Sequence, residues 1–337
     1  MSHAPALCRW TRPLLSAVLA LVLCLLSGCA GAAQQPASPA SATRTVTDVT
    51  GAQVQVPAEP RRVVALSEPT LDAVLALGVT PIGTVSGRGQ SGVPNYLADR
   101  AGSIPVLGGI GQPNFEAIGA AKPDLILVDG TSVNNNPPVL EALRQIAPVV
   151  YTGYAGGEWR TNFTVAAAAL GLEQRGGQVL AGYAENVAST RAALAGLQDK
   201  TFSIVRWQGT APALILKELP GGQALNDLGL RRPAAQDTFG RGHSEPVSLE
   251  NLQQIDADYI FFGTLGGSSV GNPNAGGSSG LDGARQALDA AVQVPGFTSL
   301  AAYRADHIIL VDGSAWTSTG GPLLMNRLID DVRAALG

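Results

Sequence analysis

The strongest constraint on the fold is a stretch that the chain writes twice. "NFEAIGAAKPDLILV", residues 114–128, returns 134 positions later as "SLENLQQIDADYIFF", residues 248–262, with Glu, Asp and Ile in register. Each copy begins with a polar residue able to cap a helix, Asn114 or Ser248, places a Glu two positions on, and ends with an Asp opening an apolar run. A helix that leads into a buried strand is the unit of a parallel sheet, and one such unit in each half predicts two related lobes.

The flanking sequence repeats the same program. From Arg61, short apolar runs alternate with helical stretches: "RVVALS", "TLDAVLALG", "TPIGTV", the Glu116 helix, "DLILV", "PVLEALRQI" and "PVVYTG". The second half restarts with "FSIVRW" (202–207), then "GQALNDLGL", the Glu250 helix, "DYIFF" and "HIILVDG". Ahead of both lies "VTDVTGAQVQVP" (46–57), whose alternation around Thr50-Gly51 reads as a hairpin. Residues 161–198 have nearly continuous helix character; Gly171 and Gly176-Gly177 are the candidate breaks, which predicts a short helix and then a long one crossing between lobes. The expected fold is therefore α/β, with two lobes, 44–160 and 199–337, each a mainly parallel sheet flanked by helices. One long α-helix within 161–198 joins them, leaves a ligand cleft between them and resists large hinge closure. A length of 337 residues suits two lobes.

The first residues set the compartment. Arg9 and Arg12 precede the uncharged run Leu14 to Leu26, which has the length of a signal-peptide core and falls short of the about 20 residues that span a bilayer. It ends in Leu26-Ser27-Gly28-Cys29, which resembles the bacterial lipobox. That resemblance implies a signal peptide over 1–28, cleavage before Cys29 and acylation of its thiol, and so a lipid-anchored protein on the outer face of the cell membrane or in the periplasm. An uncleaved anchor with a chance cysteine is the alternative. Residues 29–43, polar and Pro-bearing, read as a flexible tether.

Composition removes several functions. No cysteine follows Cys29, so the mature chain has no disulfide framework and no thiolate metal site. Beyond the tether the histidines are His243 and His307, too few for a protein-built zinc or manganese centre, so no direct metal ligands and no intrinsic cofactor are expected; a metal would arrive chelated. Net charge is −4, which disfavours nucleic acid. "GSSVG" around Ser269 and "GGSSG" around Ser278 fit the Gly-x-Ser-x-Gly pattern of a lipoprotein serine hydrolase. Both lie within the loop-like "GGSSVGNPNAGGSSG" (266–280), without the strand and helix that a nucleophile elbow needs. "GRGQSG" (87–92) fits a dinucleotide fingerprint but runs into Val93-Pro94-Asn95 where a helix should begin, and reads instead as a ligand-facing loop.

The order lipobox, tether, "VTDVTGAQVQVPAEPRRVVAL", "LALGVTPIG", "GQPNFEAIGAAKPDLIL", helical bridge and "EPVSLENLQQIDADYIFF" resembles the periplasmic-binding-protein family that delivers ferric siderophores, haem or cobalamin to ABC importers. The resemblance covers nearly all of the chain after the signal. It implies a binding protein, not an enzyme, acting as a monomer that takes a small metal chelate and presents it to a permease dimer. Residue for residue, it carries permease docking to Glu116 and Glu250. An acid in the first turn of a helix also has a local role, since the macrodipole favours it by about 0.3–1 kcal/mol, but that does not account for a matched pair, one per lobe.

Ligands of open α/β sheets gather beyond the carboxyl ends of the strands. The side chains there are Arg88, Gln112, Thr131, Tyr154, Arg206, Trp207, Arg241, His243 and Trp316. Arginine offers a fixed charge and five donors to an anionic chelate, and tryptophan can cover its organic shell. Each arginine taken singly also fits solvated surface, and Trp207 and Trp316 fit the core as well as the cleft. The expected ligand is a ferric siderophore; haem, with His243, a Tyr or Met325 as axial contacts, and cobalamin are the alternatives.

Overall fold

Val63–Ala65 and Leu125–Val128 are apolar and buried at every position, as strands covered by helices on both faces must be. They are β3 and β7 of a four-stranded parallel sheet in the order β4–β3–β7–β8, where β4 is Gly83–Thr84 and β8 is Val149–Tyr151. The second sheet runs β11–β10–β9–β12–β13. Its strands β9 (Phe202–Gln208), β12 (Tyr259–Gly263) and β13 (Ile308–Leu310) are parallel, and β10 (Ala211–Leu214) and β11 (Glu245–Pro246) extend it antiparallel. Two short ribbons precede the sheets' repeated helices: the hairpin β1 (Thr43–Thr47) with β2 (Gln53–Pro57), and β5 (Gly108–Gly109) with β6 (Gln112–Pro113). The computed structural model describes residues 42–133, 136–154, 157–240, 244–266 and 278–337. The signal, Cys29, nearly all of the tether, Arg241, His243 and Ser269 lie outside these residues.

The repeated Asp has the same task in both sheets. Asp124, just before β7, accepts the backbone N–H groups of Arg61 (2.8 Å) and Arg62 (2.9 Å), just before β3. Asp258, just before β12, accepts the N–H and hydroxyl of Thr201 (2.8 Å each), just before β9. Each carboxylate thus pins the starts of two parallel neighbours and fixes their register. The Thr201 N–H bond leads the effects that hold the Asp258 carboxyl below its usual range.

The helices before these strands are not equal. α1 is Glu68–Ala76 and α2 is Phe115–Ala120, the latter capped by Asn114, whose Oδ1 accepts the Ala117 N–H at 3.0 Å. Its counterpart Leu249–Ile255 is a 3₁₀ helix with non-helical backbone at Asn251. Ser248 makes no capping bond there, contrary to the expectation from the repeat; its hydroxyl oxygen accepts from Asn251 Nδ2 instead.

The lobes are joined through α4 (Trp159–Leu170) and the 21-residue α5 (Glu173–Ala193), after α3 (Pro137–Arg144) has crossed from β7 to β8, the last strand of the first sheet. The break falls at Gly171, left-handed at φ 71°, as glycine permits. Gly176-Gly177 stays inside α5, where a Cβ on Gly176 would lie 3.0 Å from the Ala167 methyl, so the glycine allows α4 and α5 to approach. The second lobe adds α6 (Pro220–Asp227), α7 (Leu281–Ala291) and the closing helix α8 (Pro322–Leu336).

One apolar core runs through the junction. Leu71 of α1, Phe163 of α4, Tyr183 of α5, Phe202 and Phe261 of the second sheet, and Leu324 and Leu328 of α8 belong to one buried cluster. Separate clusters cover the outer face of each sheet. Polar bonds reinforce the junction: the buried Asp72 carboxylate of α1 accepts the N–H groups of Leu323 (2.9 Å) and Leu324 (2.8 Å) at the start of α8, and the Tyr96 hydroxyl at 2.9 Å.

Candidate ligand-binding site

The carboxyl ends of the parallel strands in both sheets bring together the loops that carry unpaired charge. β4 runs into the loop bearing Arg88, and Arg206 stands near the end of β9. Arg88 is half-buried, its Nε has no partner, and its guanidinium makes no ion pair among the described residues. Arg206 gives Nη2 to the Ser244 hydroxyl and Nη1 to the Thr317 carbonyl at a long 3.5 Å, and its Nε is also unpartnered. Burial, and then the charge of Arg88, lower the Arg206 pKa to about 10. The Arg206 guanidinium of one lobe therefore feels the charge of Arg88 from the other, and no carboxylate among the described residues forms an ion pair with either. Removing like charges from water without a counter-charge is unfavourable, so the arrangement suits an anionic guest.

Acidic groups also follow strands. Glu68 and Asp129 are buried just after β3 and β7 in the first lobe, and Glu218 is buried shortly after β10 in the second. The Asp129 pKa is raised to about 6, by burial first and with the charge of Glu68 adding to it. Asp129 Oδ2 and Glu218 Oε1 are without partners and line a small cavity of about 20 Å³ between the lobes, with Thr131, Tyr154 and Thr319. A cavity of that size takes about one water molecule. A larger one, about 750 Å³, opens on the second lobe beside Leu216, Phe239 and Ser244, the last being the partner of Arg206. Phe239 projects with 76% of its surface exposed.

Residues 63–315, about three quarters of the chain, match the family described as periplasmic binding protein. The chain belongs to that family. It is 29% identical over 328 residues to a probable siderophore-binding lipoprotein of Bacillus subtilis, covering 94% of this chain and 95% of the relative. An Fe(3+)-citrate-binding protein of the same organism is 28% identical over 261 residues, covering 75% and 79%. The SirA protein of Staphylococcus aureus complexed with staphyloferrin B superposes with a TM-score of 0.74 at 24% identity, covering 87% of this chain and 98% of SirA, a likeness that bears on the fold alone.

In this periplasmic binding protein the residues expected at the ligand separate into groups. Arg206 reaches the Thr317 carbonyl, next to the Ser318 and Thr319 hydroxyls that share Glu68 with the Arg88 N–H, and Thr131 and the exposed Tyr154 line the inter-lobe cavity. The Thr131 hydroxyl is already given to Asp129 Oδ1 at 2.6 Å. Gln112 is exposed on β6, beside Asn114 and Glu116 and away from that cavity. Trp207 and Trp316 are corrected to core. Trp207 is 1% exposed against Phe262 and Phe297, with its N–H on the Gly209 carbonyl. Trp316 is fully buried, stacked on Phe261 at 4.2 Å, with its N–H on Asp331. Neither indole has a face left for a ligand.

Glu116 and Glu250 are both exposed and make no ion pair among the described residues. Each follows an exposed apolar side chain, Phe115 or Leu249. Ser278 is an exposed turn residue whose hydroxyl accepts the Gly280 N–H, while His307 is bonded to the Asp258 carbonyl and stacked on Tyr259. The described residues contain no group of three His, Cys, Asp or Glu able to hold a metal, and none of their helices is long and apolar enough to cross a membrane. Sequence reading missed Glu68, Glu218, Phe239, Ser244 and Thr317–Thr319. "SEPT" directly after the strand "RVVAL" was a usable sign for Glu68; the others have no local signature.

Proposed function

We propose that this chain is the substrate-binding lipoprotein of an ABC importer, capturing a ferric siderophore between its lobes and delivering it to a membrane permease. The observation that carries the reading is the pair Arg88 and Arg206, one in each lobe, neither in an ion pair among the described residues and both with an unpartnered Nε, linked through Thr317–Thr319 and Glu68. An oxygen-rich, anionic ferric chelate supplies the missing counter-charge. The names of the Bacillus subtilis relatives support iron chelates as the class. The iron arrives as cargo inside its chelator, and the guanidinium groups of Arg88 and Arg206, each with an unpartnered Nε, offer donors and charge to the chelator's oxygens.

In the same reading, residues 1–28 are a lipoprotein signal, Cys29 is acylated and 29–43 is a tether. Residues 44–160 and 199–337 are the two lobes and 161–198 their connector, in a monomer that binds without making or breaking bonds. Glu116 and Glu250 dock on basic side chains of a permease dimer. The exposure of both, with an apolar neighbour beside each, supports this.

Two measurements test the reading. A soluble Cys29→Ser protein made without residues 1–28, titrated with ferric citrate, catecholates, hydroxamates, haem and cobalamin, should bind an anionic ferric chelate best; preference for haem or cobalamin contradicts it. In cells, the double variant Glu116→Ala, Glu250→Ala should lose uptake while its purified form keeps ligand affinity within about threefold, well under the tenfold that corresponds to 1.4 kcal/mol. Normal uptake by that variant rejects the docking assignment.

A further inference from the structure

We infer that Glu68 is a positioning residue that fixes the two cleft arginines relative to each other, and thereby the selectivity of the cleft for anionic chelates; this rests on the reading of Arg88 and Arg206 just given. The carboxylate is 2% exposed and joins three segments. Oε1 accepts the backbone N–H of Arg88 at 2.6 Å. Oε2 accepts the hydroxyls of Ser318 at 2.9 Å and Thr319 at 3.1 Å, some 250 residues away in the other lobe. The residue before them, Thr317, offers its carbonyl to Arg206 Nη1. Glu68 therefore holds the Arg88 segment directly, and reaches Arg206 of β9 through Thr317, the neighbour of Ser318.

The ordinary duty of an acid at this position is already filled. Glu68 is the first residue of α1, but the helix start is closed by Ser67 and Thr70, each side chain bonded to the other's backbone N–H at 3.2 and 3.0 Å. Nor does Glu68 form an ion pair with any cation among the described residues. A buried acid without a cation is costly to keep, and its three bonds all join the Arg88 segment to Ser318 and Thr319, beside the Thr317 carbonyl that Arg206 reaches.

The test compares variants of the full mature chain with Cys29→Ser, using ferric citrate as the anionic probe and a neutral ferric trihydroxamate as the other. Glu68→Ala should weaken ferric citrate about tenfold or more and the neutral chelate less than about threefold, where tenfold corresponds to 1.4 kcal/mol. Glu68→Gln should restore most of the discrimination, because its carbonyl can take the Arg88 N–H while its amide donates to the Ser318 and Thr319 hydroxyl oxygens. Ser318→Ala with Thr319→Ala, which leaves Glu68 and α1 intact, should lose it again. Equal weakening of both probes in Glu68→Ala, no rescue by glutamine, or an unchanged ratio in the Ser318/Thr319 pair overturns the inference. If Arg88→Ala and Arg206→Ala discriminate between the probes while these variants do not, the reading of the arginines stands and the role of Glu68 falls. If the arginine variants do not discriminate, or the unsubstituted chain binds neither probe, the reading falls and the inference with it.

Discussion

Arg88 and Arg206 keep permanent charges where water is partly excluded, and the fold meets that cost in different ways on the two sides. Arg206 retains the Ser244 hydroxyl and the Thr317 carbonyl, whereas the Arg88 guanidinium has no partner among the described residues. Tryptophan has the reverse assignment. With Trp207 and Trp316 enclosed by aromatic rings and their indole N–H groups satisfied, truncation should remove packing and leave the cleft unchanged. Trp207→Ala and Trp316→Ala are each expected to lower unfolding free energy by about 3–5 kcal/mol. Urea denaturation measures that loss, and ligand affinity of the folded fraction should change less than about threefold; a stable variant with broken binding contradicts the core placement. The placement of the arginines was legible in sequence because Arg88 follows β4 and Arg206 lies near the carboxyl end of β9. The tryptophans were not, because an aromatic after a strand serves cleft and core equally until its neighbours are known. Glu68 was hidden for another reason: its partners Ser318 and Thr319 are distant in sequence, and spacing says nothing about them.

At the scale of elements, the start of α8 is the sensitive point. Its first free N–H groups are taken by Asp72 of α1, an acid of the other lobe, in place of a residue of its own cap. Burial, partly opposed by these bonds, raises the Asp72 pKa to about 6 from an ordinary 3.8. A raised folded-state pKa means that the folded chain holds the proton longer than the unfolded one, so the contribution to stability is complete below about pH 3.8 and is lost as pH rises through about 6. Relative to Asp72→Asn, the native chain should lose up to about 3 kcal/mol of unfolding free energy between pH 4 and pH 7, since one pKa unit is 1.36 kcal/mol. Urea unfolding of both proteins at the two pH values measures this; an equal change with pH in both shows that Asp72 does not titrate in that window. The helix itself was not foreseen, although Leu324, Leu328 and Val332 repeat at helical spacing, and its cap was not readable because it comes from a residue 250 positions away. The repeated stretch was readable down to its Asp residues, while the 3₁₀ form of Leu249–Ile255 departs from it at Asn251.

For the whole molecule, the alternation of apolar runs and helical stretches was enough to give two lobes and a helical connection, because those patterns are local. The shared core was not legible, since it pairs α1, α4 and α5 with the second sheet and α8 across long sequence distances. That core, reinforced by Asp72 and Glu68, gives the lobes a broad contact that resists wide opening and favours capture in a largely preformed cleft. Under the proposed function, selectivity is then expected to depend on where charge is held within the cleft more than on how far the lobes travel. The most direct measurement is a comparison of ferric citrate and a neutral ferric trihydroxamate on the soluble Cys29→Ser chain and its Arg88→Ala and Arg206→Ala variants. Each variant should weaken ferric citrate by about 1.5–3 kcal/mol, the range for a hydrogen bond to a charged group, with the neutral chelate held nearly constant. Equal losses for the two chelates, or none for either, would contradict charge recognition by the paired arginines.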